Sequence, residues 1–360
     1  MASSIDDNAA DGNSDKSLCE RWMIQYTRLI MYAILNFYSL HTLAAACDKI
    51  EKKFERKGVF MEFLNVLAGL RTPLGDAFFQ LCTYLGQDIP ILAIICILYW
   101  GFDKTLAYQT ALSFFTSGLL VQNLKITFRV PRPWVLDPGF QAVPSAVPAA
   151  TGYSFPSGHT QSAAALYGNL AASSRRKSLK LLFTALLLLV GFSRMYLGCH
   201  TPQDVAAALL LGLASTAAVR ALFRRLRGTH RENLILGCVL AVCSLLTAVY
   251  GFSLLSGGVI NADNAADAIK SAGAGLGFAV GYYVERSFLS FSTDLPLSGK
   301  VKRCLLGLLL VLLLKVLLGL LLGNSLLLQM IEYAILILFI LVLYPLIFCK
   351  AEGALRRQPH

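Results

Sequence analysis

Three polar clusters between residues 125 and 204 carry the residue types that a phosphoryl-transfer site needs. A phosphoryl group is anionic and gains negative charge during transfer, so its site requires cations held by rigid backbone. Each cluster lies at the end of an apolar segment, where bilayer would meet water. The candidate residues are three cations, two histidines, one carboxylate and a Ser-Gly pair: Lys125, Arg132, Arg194, His159, His200, Asp204, Ser157 and Gly158.

The candidate phosphate-binding cations are Lys125, Arg132 and Arg194. Arginine suits this role because its planar guanidinium can contact two phosphoryl oxygens at once. Prolines on both sides of Arg132 end the preceding helix and stiffen the loop. An alternative is that Lys125, Arg129 and Arg132 anchor the chain to lipid headgroups, which attract basic residues.

The second cluster, Pro156-Ser157-Gly158-His159, comes directly before an apolar helix. Ser157 suits the N-cap position, and Gly158 allows a ligand to approach the backbone closely. Free amides at a helix start bind anions, and the helix dipole helps them. The alternative is an ordinary helix cap followed by an incidental His159.

The third cluster predicts a helix start preceded by a histidine. Thr201 suits the N-cap, Pro202 the first helical position and Asp204 the third. His200 then lies within reach of the Asp204 carboxylate, which would fix the imidazole tautomer and leave the other ring nitrogen as a nucleophile. Alternatively, Asp204 only completes the cap and His200 is an interfacial histidine. All three clusters fall on one membrane face with complementary roles, which favours a shared site.

The clusters at 125–133, 156–159 and 193–204 together resemble the full signature of the type 2 phosphatidic acid phosphatase superfamily. That superfamily includes lipid phosphate phosphatases, bacterial undecaprenyl diphosphate phosphatases and, more distantly, vanadium haloperoxidases. The resemblance covers about residues 85–225, and no signature position departs from the pattern.

The resemblance implies a metal-independent, two-step hydrolysis without a cofactor. His200 would attack phosphorus, Asp204 would orient His200, and His159 would protonate the leaving alkoxide. Water would then cleave the phosphohistidine. The residues implied to hold the phosphoryl oxygens are Lys125, Arg132, Ser157, Gly158 and Arg194.

The composition predicts an integral membrane protein. Of 360 residues, 56% are hydrophobic and 15% are charged, whereas soluble domains average about 25% charged residues. The net charge of +11 does not indicate a nucleic-acid partner, because the basic residues lie in short loops between apolar runs. The nine cysteines are scattered singly, so neither a disulfide framework nor a thiolate metal site is indicated.

The hydropathy pattern predicts an all-α fold, a polytopic membrane helix bundle with a six-helix phosphatase core and extra C-terminal transmembrane helices. Residues 1–20 are expected to be a disordered acidic tail rather than a signal peptide. The stretches 22–46 and 61–84 fit either spanning or interfacial helices. The predicted domains are 1–60 (the tail and an amphipathic or membrane helix), 61–228 (the phosphatase core) and 229–360 (accessory transmembrane helices). The predicted helical segments lie near 88–102, 105–124, 158–172, 179–196, 203–222, 233–252, 268–284, 303–322 and 331–349.

Basic residues predict the orientation of the bundle. If the helices alternate, one face carries many basic residues, whereas the opposite loops 253–267 and 323–330 contain no lysine or arginine. The basic face is then cytoplasmic, and the three clusters face out of the cytoplasm. The basic residues on the first face are Arg175, Arg176, Lys177, Lys180, Arg220, Arg224, Arg225, Arg227, Arg231, Arg286, Lys300, Lys302, Arg303, Lys350, Arg356 and Arg357.

Two features of the C-terminal region have alternative explanations. Gly273, Gly277 and Gly281 recur every four residues, which predicts a smooth stripe for close helix packing. Lys315, in an otherwise apolar segment, is either a functional intramembrane charge or a snorkelling side chain.

The sequence therefore predicts hydrolysis of a lipid phosphate monoester or diphosphate at the extracytoplasmic face of a membrane, which is the cytoplasmic membrane if the cell is bacterial. The expected partners are the lipid substrate and the bilayer, and homo-oligomerisation stays open. One rival is a lipid-phosphate transporter or flippase that uses the same cationic site, but such a protein would show inverted repeats and broken helices. A second rival is a non-catalytic scaffold, against which the intact His159, His200 and Asp204 argue.

Overall fold

The computed structural model describes residues 57–351, and these residues form helices without a β-strand. Turns of π-helix follow α3, α10 and α12, and the loop before α6 contains a short 3₁₀ turn. In chain order the helices are α1 Lys57–Gly69, α2 Pro73–Tyr84, α3 Asp88–Ile97, α4 Lys104–Phe128, α5 Pro133–Leu136, α6 Gly158–Ser173, α7 Lys177–Tyr196, α8 Pro202–Phe223, α9 His230–Ser256, α10 Ala262–Val284, α11 Leu297–Leu322, α12 Leu326–Leu338 and α13 Tyr344–Ala351.

The ambiguous stretch 61–84 forms two helices, divided where polar residues interrupt its apolar pattern. The Thr72 side chain caps α2 by accepting a hydrogen bond from the Gly75 amide. Helices α2 and α3 bend by 46° at a short break, and together they are long and apolar enough for one span. The stretch 22–46 and the tail 1–20 lie outside the described residues.

The prediction of an all-α, polytopic membrane bundle is confirmed. Within the described part of the chain, five helices are each long and apolar enough to cross a membrane: α7, α8, α9, α11 and the continuous segment Leu326–Lys350. Helices α4, α6 and α10 are less apolar because they carry buried polar or small residues. Across α4 and α6, for example, Gln161 donates to the Ser117 hydroxyl (2.7 Å) and Asn169 to the Ser113 hydroxyl (3.1 Å). Such pairing satisfies polar groups inside the bundle.

The glycine stripe of α10 is a packing surface, as predicted. A β-carbon at Gly273 would come within 2.0 Å of the Met330 carbonyl oxygen, and one at Gly277 within 2.5 Å of that of Ala334. Helix α12 therefore approaches α10 too closely for any side chain. Lys315, for which two explanations were open, forms an ion pair with the buried Glu332 of α12.

Helix α4 joins the predicted core to the accessory helices. It packs against α6 and α8 on one side and against α10 on another. The described residues from Gly58 onward accordingly form one compact unit. The predicted division between a phosphatase core (61–228) and accessory helices (229–360) does not coincide with a break in the packing. It stays a prediction about which part carries the reaction.

Candidate active site

Four helix ends bring the candidate residues together at one end of the bundle. Lys125 lies in the last turn of α4 and Arg194 in the last turn of α7. His159 lies in the first turn of α6 and Asp204 in the first turn of α8. His200 lies in the connection between α7 and α8, where charges of all three candidate cations act on it. The three clusters, far apart in sequence, therefore occupy one site.

The His200 imidazole lies between an arginine and a carboxylate. Its Nε2 is 2.9 Å from Arg132 Nη1, and its Nδ1 is 3.3 Å from Asp204 Oδ2. A guanidinium can only donate, so Nε2 accepts from Arg132 and the ring proton resides on Nδ1, facing Asp204. The lone pair of the ring therefore lies on Nε2, the nitrogen that could attack an electrophile, and in this structure it accepts from Arg132.

His200 is buried, with 1% of its surface exposed. Burial lowers the pKa of His200 well below its ordinary value, and the positive charges of Arg132, Arg194 and Lys125 lower it further. The imidazole is therefore neutral at pH 7 and needs no deprotonation before it can attack an electrophile.

Asp204 caps its helix and contacts His200 with the same carboxylate oxygen. Asp204 Oδ2 accepts from the Thr201 amide (2.9 Å), which forms the predicted capping box. The same Oδ2 accepts from the Ser154 hydroxyl (2.6 Å). Asp204 thus does more than complete the cap, because the cap holds its carboxylate where His200 Nδ1 meets it. Ser154 has no pattern in the sequence that would have singled it out.

Arg132 is held by backbone carbonyls on one side and by His200 on the other. Its Nε donates to the Gly152 carbonyl and its Nη1 to the Cys199 carbonyl, each at 3.1 Å, and its Nη2 donates to the Thr151 carbonyl. Burial, followed by the charge of Arg194, lowers the pKa of Arg132 to about 10. The guanidinium therefore stays charged at neutral pH and keeps a fixed orientation.

Arg132 and Lys125 are too deeply buried to anchor the chain to lipid headgroups. Each exposes only 6% of its surface, whereas Arg129, the third residue in that alternative, is exposed. Arg129 ends α4 in a left-handed conformation, with a φ of 49°. Only Arg129 is therefore placed to meet headgroups.

Arg194 exposes none of its surface and is only partly hydrogen-bonded. Its Nη1 donates to the Thr83 hydroxyl at 2.8 Å, while Nε and Nη2 have no partner among the described residues. Thr83 comes from the end of α2, before the bend, and nothing in the sequence pointed to it. Buried guanidinium donors are costly when unpaired, so these two N–H groups suit an anionic ligand.

The start of α6 offers unpaired donors beside an open position. Ser157 is the N-cap residue, but its hydroxyl accepts from Thr160 Oγ1 (2.9 Å) and makes no side-chain cap bond. Ser157 thus occupies the predicted N-cap position, without a hydrogen bond from its side chain to the helix backbone. The space around Gly158 is open, since a β-carbon there would meet no atom within 4 Å. His159 Nε2 has no partner in the described part of the chain.

Comparison with known proteins gives two separate family matches, with residues 228–268 between them. Residues 106–227 match the PAP2 superfamily, and residues 269–356 match the transmembrane extension of PAP2 superfamily phosphatases. A curated relative, undecaprenyl-diphosphatase BcrC of Bacillus subtilis, is 33% identical over 125 residues, which are 34% of this chain. The chain spans 62% of the length of that relative.

Two solved structures resemble parts of the chain. LpxE of Aquifex aeolicus is 24% identical with a TM-score of 0.40, covering 46% of this chain and 96% of the other. A transmembrane PAP2-type phosphatidylglycerolphosphate phosphatase of Bacillus subtilis is 23% identical with a TM-score of 0.42, covering 53% and 98%. The sequence matches agree with the three clusters, all of which lie within 106–227. By these residues and by its transmembrane extension, the chain belongs to the PAP2 superfamily.

Proposed function

We propose that this protein hydrolyses a lipid phosphate monoester or diphosphate through a phosphohistidine formed on His200. The observation that carries the proposal is the placement of the His200 ring between Arg132 and Asp204, with Nε2 2.9 Å from the guanidinium and Nδ1 3.3 Å from the carboxylate. Because a guanidinium only donates, this placement assigns the ring proton to Nδ1 and the lone pair to Nε2. A neutral, oriented imidazole is what nucleophilic attack requires. The relative named as an undecaprenyl-diphosphatase supports hydrolytic phosphoryl transfer from a lipid as the reaction class.

In the first step, His200 Nε2 forms a bond to phosphorus and the bond from phosphorus to the leaving oxygen breaks. His159 must act as its imidazolium, which the negative charge of the bound phosphoryl group favours by offsetting the charges of Arg194, Lys125 and Arg132 around the ring. It gives its extra proton to the leaving oxygen, which matters most for a monoester, because a lipid alkoxide is a poor leaving group. The Nδ1 proton stays on the ring, where Asp204 stabilises the charge that develops. In the second step water attacks phosphorus, His159 accepts the proton of that water, and the bond from nitrogen to phosphorus breaks.

Fixed positive charge stabilises the phosphoryl oxygens in both steps. The donors are the side chains of Lys125, Arg132 and Arg194, with the backbone N–H groups that follow the N-cap Ser157, beginning at Gly158. The Ser157 amide itself donates to the Asp204 carbonyl (3.1 Å). The two unpaired N–H groups of Arg194 and the open space at Gly158 support this assignment. A transporter would also bind phosphate with these cations, but it would not need the ordered His200–Asp204 pair.

A substrate panel tests the proposed reaction. We expect the purified protein in detergent to release phosphate from one or more of phosphatidic acid, phosphatidylglycerol phosphate, a sphingoid phosphate and a polyprenyl diphosphate. Activity should persist in EDTA, because the charge-stabilising groups are side chains, and vanadate should inhibit by mimicking pentacoordinate phosphorus. Loss of activity in EDTA with recovery on adding a divalent ion would contradict the metal-independent reaction.

We also propose that the site faces out of the cytoplasm, which in a bacterial cell would place the protein in the cytoplasmic membrane. The proposal rests on the concentration of basic residues in the loops at the other face. Ser256→Cys and Asn324→Cys variants should react with an impermeant thiol reagent added to intact cells, and a Ser174→Cys variant should not. The parent protein controls for its native cysteines. Labelling of Ser174→Cys alone would reverse the orientation.

A further inference from the structure

A carboxylate of helix α10 contacts the loop that holds Arg132. Asp267 lies in the second turn of α10, within the predicted accessory segment. Its Oδ2 accepts a hydrogen bond of 2.6 Å from the Thr151 hydroxyl, across 116 residues of sequence. The loop between α5 and α6 is therefore tied to a helix that lies outside the PAP2 match at 106–227.

The tied loop supplies two of the three carbonyls that orient Arg132. Thr151 accepts from Arg132 Nη2 and Gly152 accepts from Arg132 Nε. Arg132 Nη1 in turn lies 2.9 Å from His200 Nε2. A continuous series of hydrogen bonds thus runs from the Asp267 carboxylate, through the Thr151 residue and Arg132, to the proposed nucleophile.

The conformation of this loop requires support. Gly152 has a φ of 60°, in the left-handed region that glycine adopts readily and other residues seldom do. Glycine also loses more backbone conformational entropy on folding than other residues, so the backbone of this loop does little to fix its own conformation. A hydrogen bond from the neighbouring Thr151 to a packed helix restricts that freedom. Helix α10 is itself packed against α9, α12 and α4, so it provides a firm attachment.

We propose that Asp267 is a positioning residue of the active site: through Thr151 it fixes the two carbonyls that orient Arg132 towards the substrate phosphate and His200. The inference rests on the proposed phosphatase function. It gives the accessory segment a definite part in the reaction, because removing its carboxylate would loosen a phosphate-binding cation without touching the substrate itself.

The test compares variants that remove the two ends of the hydrogen bond. Asp267→Ala and Thr151→Val should each lower kcat/KM by about 3–10-fold, the range expected for one partly exposed hydrogen bond. The double variant should be no worse than either single variant, because both remove the same bond. Asp267→Asn keeps an acceptor for the Thr151 hydroxyl and should stay within about twofold of the parent.

Asp263→Ala is the matched control, because Asp263 is an exposed acid one turn earlier on the same helix. It should have the parent's kcat/KM, and all variants should share its melting temperature. If Asp267→Ala loses activity while Thr151→Val does not, Asp267 acts by its charge and the proposed link is wrong. Additive losses in the double variant, or full activity in Asp267→Ala, would also refute the link.

Direct binding of vanadate separates this inference from the proposed function. The same two single variants should bind vanadate about 3–10-fold more weakly than the parent, since Arg132 contributes to anion binding with or without turnover. A parent protein that binds vanadate but hydrolyses no substrate would refute the proposed function, and the variants would still test the link. Equal vanadate affinity in all three proteins would refute the link.

Discussion

Replacing His200 with alanine should abolish hydrolysis of both lipid phosphates and p-nitrophenyl phosphate. We expect a loss of about 10⁴-fold or more in kcat, the scale seen when a covalent nucleophile is removed from an enzyme. The choice of substrate should not matter, because both esters need the bond from His200 Nε2 to phosphorus. Steady-state phosphate release on the two substrates measures this effect.

His230→Ala is the control for the His200 variant, since His230 is exposed at the start of α9, outside the candidate site. It should be fully active. Because His200 is buried, the melting temperature of His200→Ala must be compared with that of the parent. If the His200 variant is folded and retains more than a few per cent of the parent's rate, another group is the nucleophile.

Replacing His159 with alanine should affect the two substrates unequally. Loss of a general acid typically costs about 10²–10⁴-fold when the leaving group is poor. A lipid alkoxide is poor and nitrophenolate is good, so His159→Ala should lose lipid hydrolysis but keep a larger share of its activity on p-nitrophenyl phosphate. The unpaired Nε2 of His159 is consistent with a proton donor that has no competing partner.

The measured quantity is the loss of kcat/KM caused by His159→Ala on the lipid, divided by the loss on p-nitrophenyl phosphate. For the His159 variant, the loss of kcat/KM on the lipid should exceed that on p-nitrophenyl phosphate by at least about tenfold, within the range for acid catalysis. A His159 variant with equal losses on both substrates would show that His159 does not protonate the leaving oxygen. The first step on p-nitrophenyl phosphate can be isolated by following the initial burst of nitrophenolate.

The helical order and the convergence of the site were predictable because membrane helices restrict where polar groups can lie. Charged residues at the ends of apolar segments must meet at an interface, so Lys125, Arg194 and Asp204 could be placed on one face from the sequence. The Thr201 cap was equally predictable, since its pattern is local.

The residues that sequence analysis missed are hydroxyls that act across long distances in the chain. Thr83 contacts Arg194 and Ser154 contacts Asp204, yet neither lies in a pattern that marks it. The N-cap position of Ser157 was predictable, but the bond that its hydroxyl accepts from Thr160 was not. Tertiary packing decides these contacts.

Trapping the phosphoenzyme tests most directly whether the reaction passes through a phosphohistidine on His200. The parent protein, mixed with a substrate labelled in the phosphoryl group and quenched within milliseconds, should carry label that is stable to base and lost in acid, as a phosphohistidine is. Peptide mapping should place the label at His200, and His200→Ala should carry none. Absence of any labelled protein during rapid turnover, or label that persists in His200→Ala, would contradict a phosphohistidine on His200.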